Sequence, residues 1–212
     1  MMSVLPTVVC VVAVIGLLLA EKSGSRLGIW LTKPLAASAF VWSALTRGAL
    51  ETSYGRWLLL GLTLCFCGDV LLIPKNRRSW FRAGIVAFLA GHLAYIIAFS
   101  SLGMGWMGLV FGGLMAGMLA WTVGRWLGPQ LPVGFRQLVA AYVVVICAML
   151  IAAFGAAEGS GIWRIALGGS LFALSDISVA RDRFVSKAFL NRAWGLPMYF
   201  TAQLILASTA AG

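Results

Sequence analysis

Charge is scarce in this chain. Its 212 residues include six acidic and sixteen basic side chains, one histidine and four cysteines. A lone histidine and the absence of any CxxC pair leave too few ligands for a zinc site. Cys65 and Cys67 would project about 200° apart on a helix, so they cannot act together. With Cys10 and Cys147, they lie in apolar runs and read as small packing residues. The signatures GxSxG, HExxH and GxxxxGK[ST] are missing, which excludes a serine hydrolase elbow, a zinc protease and a P-loop ATPase. No metal and no organic cofactor is expected.

What remains is apolar. Hydrophobic residues make up 61% of the chain and the mean hydropathy is +0.97. A soluble domain of this length cannot hide that much apolar surface. The runs are continuous over roughly 17–22 residues rather than alternating over ten, which favours helices over a barrel. The expected fold is all-α, a polytopic membrane bundle of about eight transmembrane helices in a single domain, 1–212. Spans are predicted at roughly 3–20, 27–46, 56–73, 81–100, 104–124, 136–155, 162–180 and 190–211. The uncharged segment Ser100–Gly105 is expected to turn between the fourth and fifth, since Ser and Gly tolerate turn geometry. No Lys or Arg precedes the first apolar stretch, so it reads as a retained span rather than a signal peptide.

The net charge of +10 does not point to nucleic acid, because the basic residues fall in short loops between spans. With the N-terminus outside, twelve basic residues lie on the inner side: Lys22, Arg26, Lys75, Arg77, Arg78, Arg82, Arg125, Arg136, Arg181, Arg183, Lys187 and Arg192. Only Arg47, Arg56 and Arg164 lie on the outer side. This asymmetry predicts both termini on the non-cytoplasmic side of a plasma membrane, with the bacterial inner membrane the expected location. The same loops suit anionic lipid headgroups.

Asp69 in the third span and Asp176 in the seventh need an explanation. A charged side chain in hydrocarbon costs about 2.5–3.5 kcal/mol, so such groups face a bundle interior or a wet cavity. Glu21, Glu51, Glu158 and Asp182 are assigned to loops. His92 lies about 16 Å into the fourth span, with Tyr95 at i+3 on the same face. Tyr199 and Gln203 share a face of the eighth span, Tyr142 lies in the sixth, and Lys33 precedes Pro34 in the second. These groups share the cytoplasmic half, which predicts one cavity open toward that leaflet. Two carboxyls and a histidine suit acid–base chemistry, because environment can hold one carboxyl protonated and the other ionised.

These residues also carry a pattern. CGDVLLIP and FRAGIVAFLAGHLAYIIAF in spans three and four, GGSLFALSDISVARDRF in the seventh and YFTAQLILAS in the eighth, with Lys33-Pro34 and the Tyr142 segment, resemble the YhhN/TMEM86 family of lysoplasmalogenases. The likeness runs in order over nearly the whole chain. It departs at Ile177–Ala180, where a more aliphatic stretch is expected. The resemblance implies hydrolysis of the vinyl ether bond of an ethanolamine or choline lysoplasmalogen. One of Asp69 and Asp176 would be the acid and the other the cation stabiliser, with His92 placing water or shuttling protons. Tyr95, Tyr142, Tyr199 and Gln203 would bind the substrate. Lys33, Arg82 and Arg192 would contact its phosphate. Expected partners are the lysophospholipid and the bilayer; the oligomeric state is open. Two other readings share the acids. A small-solute or lipid transporter would show Gly- or Pro-broken helices at matched positions. An intramembrane aspartyl protease would pair YD with GxGD, whereas Ser175 precedes Asp176 here.

Overall fold

The computed structural model describes residues 4–74 and 78–212. It contains eight α-helices: α1 (Leu5–Ser23), α2 (Arg26–Leu45), α3 (Ser53–Leu71), α4 (Arg78–Ser100), α5 (Trp106–Leu127), α6 (Val133–Ser160), α7 (Arg164–Phe184) and α8 (Phe189–Ala207). A short 3₁₀ turn at Gly128–Gln130 links α5 to α6. Lys75 and Arg77, counted among the inner basic residues, lie outside the described residues.

Five helices, α1, α3, α4, α5 and α6, are long and apolar enough to cross a membrane. The protein is an integral membrane protein built as a helical bundle. The remaining helices, α2, α7 and α8, carry Lys33, Asp176, Tyr199 and Gln203. Helix α8 packs on α1, α2, α3 and α7, whereas α5 touches chiefly α6. Apolar side chains therefore face outward on α5, where Trp106 is 73% and Leu114 65% exposed. Outward Leu and Trp are costly in water but match lipid.

Consecutive helices pair as hairpins, α1 with α2, α3 with α4, α5 with α6 and α7 with α8, and α8 closes the bundle against α1. Small residues permit the close approach. A Cβ at Gly68 would lie 2.7 Å from the Phe88 ring, too near for any side chain. Gly195 on α8 abuts the Ser178 hydroxyl of α7 in the same way.

Local signals set the helix ends. Ser25 and Thr52 accept hydrogen bonds from the N–H groups of Gly28 and Gly55 and so cap α2 and α3. The turn expected at Ser100–Gly105 is present, with Gly103 at φ 82°. Two helices run further than the apolar pattern implied. Helix α6 continues to Ser160, because its last turns meet the start of α5. There Gly105 N–H donates to the Gly155 carbonyl at 2.8 Å, and Gly108 N–H donates to Glu158. Helix α7 continues to Phe184 through Arg181 and Arg183 in its last turn, where cations favour the helix dipole. Glu158 and Asp182 consequently belong to helices, not loops, and so does Glu21, in the last turn of α1. Asp69 and Asp176 also differ in distance from their helix ends. Asp69 is two residues from the end of α3, while Asp176 is eight from the end of α7.

Candidate active site

Six helices, α2, α3, α4, α6, α7 and α8, bring the predicted polar residues to one region. Asp69 is 2% exposed. Its Oδ1 lies 3.1 Å from the Lys33 ammonium, which also donates to the Asp69 backbone carbonyl at 3.1 Å. Its Oδ2 accepts from the Tyr199 hydroxyl at 2.6 Å. Both carboxyl oxygens thus face donors, one of them a cation. These donors favour the ionised form of the carboxyl, while its burial opposes that form.

Tyr199 is itself held in place from behind. Gln203 Nε2 donates to the Tyr199 hydroxyl oxygen at 3.2 Å, and the Tyr95 hydroxyl donates to Gln203 Oε1 at 2.7 Å. The donors run in one direction, from Tyr95 through Gln203 and Tyr199 to Asp69. Tyr95 and Gln203 are fully buried behind Tyr199 and do not line the cavity. They were expected at the substrate, and they stand one step back from the cavity, hydrogen-bonded behind Tyr199.

Asp176 has other neighbours. The Tyr142 hydroxyl donates to its Oδ2 at 3.2 Å, and His92 Nε2 lies 3.5 Å from the same oxygen. His92 Nδ1 is 2.7 Å from the Phe88 carbonyl. A carbonyl only accepts, so Nδ1 carries a proton. In neutral His92 the lone pair on Nε2 then faces Asp176. That contact is attractive only when a proton sits on Asp176 or on Nε2. The His92 ring is fully buried, tilted onto Phe172 at 4.4 Å and edge-on to Tyr142 at 5.3 Å. It is not in the cavity lining, but its neighbours Asp176, Tyr142 and Phe88 are.

A cavity of about 300 Å³ has Lys33, Asp69, Tyr142, Asp176 and Tyr199 in its wall. Leu119 and Val123 of α5 and Val139, Val143 and Ile146 of α6 form an apolar side. Toward the α7–α8 loop the lining holds Glu21, Asp182, Arg183, Lys187, Asn191 and Arg192. A polar mouth, a central pair of carboxyls and an aliphatic wall suit an amphiphile with one chain.

The three residues expected at the phosphate, Lys33, Arg82 and Arg192, all have partners within the protein. Arg82 is outside the cavity; it donates to the Gly134 carbonyl at 3.1 Å and stacks over Phe135. Arg192 lines the cavity, but its two terminal nitrogens each bond a carboxylate at 2.9 Å, from Glu21 and Asp182. Lys33 is likewise engaged with Asp69. Sequence reasoning missed Asp182 and Asn191 because both flank the α7–α8 loop, where polar residues are unremarkable. Their one signal was proximity to Arg192 within a single basic segment.

Residues 28–210 match the model of the YhhN family. The chain belongs to the YhhN family. Its sequence is 31% identical over 159 residues to the lysoplasmalogenase TMEM86A of Bos taurus, and 30% identical over 159 residues to that of Homo sapiens. Each alignment takes in 72% of this chain and 64% of the relative. The matched region therefore spans somewhat less than two thirds of those relatives. No solved structure matches the chain. The family resemblance carried by the third, fourth, seventh and eighth spans agrees with this membership.

Proposed function

We propose that this YhhN family member is a membrane hydrolase that cleaves the vinyl ether bond of lysoplasmalogens. The products are a fatty aldehyde and glycerophosphoethanolamine or glycerophosphocholine. The observation that carries this reading is the pair of carboxyls on one cavity with unlike neighbours, Asp69 beside a cation and Asp176 beside a histidine lone pair. Support also comes from the two relatives named lysoplasmalogenase.

The chemistry follows from these environments. Vinyl ether cleavage begins with proton transfer to the β-carbon. The C=C π electrons form the new C–H bond, and the oxygen lone pair completes an oxocarbenium ion. Of the two groups that can hold the proton between them, Asp176 and His92, Asp176 is the one that lines the cavity. Asp176 therefore serves as the acid. Asp69, held ionised by Lys33 and Tyr199, stabilises the cation. This parallels the paired carboxylates of glycoside hydrolysis. Water then adds to the cationic carbon and gives up a proton to Asp176, which regains its starting state with His92 as the proton store. Collapse of the hemiacetal breaks the bond between that carbon and the glycerol oxygen, and the hemiacetal hydroxyl proton passes to that oxygen, releasing aldehyde and the glycerol hydroxyl. One water is consumed, and Tyr142 orients the acid throughout.

We place the protein in a bacterial inner membrane with both termini on the non-cytoplasmic side, as the loop charges favour. The polar mouth of the cavity then opens to the cytoplasmic leaflet. The test is aldehyde release from an ethanolamine lysoplasmalogen by purified protein in detergent, without any gradient. Aldehyde formation is expected. Fatty acid release from a 1-acyl lysolipid, or no aldehyde at all, would overturn the reading.

A further inference from the structure

Among the described residues, two buried acceptors at the mouth of the cavity have no donor. Asn191 is 1% exposed and lines the cavity. Its Nδ2 donates to the Ser186 carbonyl at 2.6 Å. A carbonyl only accepts, so this bond fixes the amide orientation and leaves Oδ1 as the free acceptor. Oδ1 is buried without a partner. Asp182, also in the lining, gives Oδ2 to Arg192 at 2.9 Å, while its Oδ1 is buried and unpartnered. Buried acceptors without donors are rare in native proteins and call for a ligand that brings them.

We propose that Asp182 and Asn191 form a subsite for a primary ammonium, so that the protein selects ethanolamine over choline headgroups. This rests on the reading that the cavity holds a lysophospholipid. A primary ammonium brings three N–H donors and a positive charge. That matches a carboxylate oxygen and an amide oxygen together. A quaternary ammonium has no N–H and leaves both acceptors bare; sites built to hydrogen-bond a group discriminate strongly against an analogue that lacks it. A quaternary ammonium is instead held on open aromatic faces. Phe81, Phe184 and Trp126 lie in the lining; Arg183 covers the Phe81 ring at 4.1 Å, and Phe81 and Phe184 pack edge-on against each other. Arg183 and Lys187, in the same wall, supply cations for the adjacent phosphate.

The spacing agrees. Asp182 lies six residues beyond Asp176 on α7, an axial rise of about 9 Å. Asn191 lies eight residues before Tyr199 on α8, about 12 Å. Nine single bonds separate the vinyl ether oxygen from the amine nitrogen, roughly 10 Å when nearly extended. An amine at the mouth thus leaves the vinyl ether at the carboxyl pair and the chain along α5 and α6.

Two measurements on the full-length protein in detergent test this. The first is the ratio of kcat/KM for ethanolamine and choline lysoplasmalogens. The second is binding of the non-cleavable 1-O-alkyl lysolipids with the same two headgroups. Wild-type protein should favour ethanolamine at least tenfold in both. Asn191→Leu and Asp182→Asn should each reduce that advantage to threefold or less. Equal binding of the two alkyl lipids by wild-type protein overturns the subsite, as does an advantage that survives in both variants. The ratio in wild-type protein requires no variant to fold. If the binding preference is found but neither lysoplasmalogen releases aldehyde, the hydrolase reading falls and the ammonium subsite stands.

Discussion

Asp69 and Asp176 line the same cavity, yet their neighbours differ in kind. At Asp69 the Lys33 amine and a phenol, the latter steadied by two residues behind it, face the two carboxyl oxygens. At Asp176 the neighbours are a phenol and an imidazole nitrogen whose proton is not fixed. Equal residues in an apolar bundle thus acquire unequal chemistry from what faces them. In low dielectric that difference is large, because charge is not screened by water. On the proposed mechanism the cation side stabilises charge and the histidine side moves a proton.

The largest effects should come from removing the carboxyls themselves. Asp176→Asn and Asp69→Asn are each expected to lower aldehyde release at least a hundredfold, with thermal unfolding in detergent confirming that the fold persists. Near-normal turnover in either variant removes that residue from the chemistry. The comparison is sharpened by Lys33→Met, which leaves Asp69 buried without its cation. Breaking such a pair costs about 3–5 kcal/mol, so a clear drop in unfolding temperature is expected. Adding Asp69→Asn should restore most of the stability but no turnover. A Lys33→Met protein as stable as wild type would mean that the ion pair does not hold Asp69.

His92→Gln tests the other side. It should lower turnover about thirtyfold, within the range for acid–base groups, with a smaller change in stability than Lys33→Met. A stability loss equal to that of Lys33→Met, without loss of turnover in the folded fraction, would make His92 a packing residue. Tyr199→Phe and Tyr142→Phe each delete one hydrogen bond to a carboxyl, worth about 1.5 kcal/mol or more, roughly tenfold in rate. The shorter contact, at Tyr199, predicts the larger loss. The smallest effect is expected at the opposite end. Glu158→Gln weakens the acceptor that caps α5 and should cost about 1 kcal/mol of stability while leaving turnover unchanged.

Much of this was legible without coordinates. The number and order of helices followed from apolar runs and loop charges, since hydrocarbon tolerates little else. Asp69, Asp176 and His92 stood out because polar groups in such runs are costly. The helix ends of α6 and α7 were misplaced because helices continue past the apolar stretch wherever charged residues find partners. Glu158 and Asp182 were hidden by that error. Tyr95 and Gln203 were recognised as polar and buried, but spacing on one helix does not tell whether a side chain faces a cavity or another side chain.

The sequence by itself determined that the chain is a membrane bundle and which few residues have to be interior, because both follow from transfer energies of individual side chains. It also placed Tyr199 and Gln203 on one face, since helical periodicity is local. Only the tertiary structure decided the pairings: Lys33 with Asp69, His92 with Asp176, and Arg192 with Glu21 and Asp182. Those contacts join residues 10 to 171 positions apart, and no local rule ranks one distant partner over another. Where a buried proton or charge rests depends on such partners, so the difference between the two carboxyls belongs to the packed bundle.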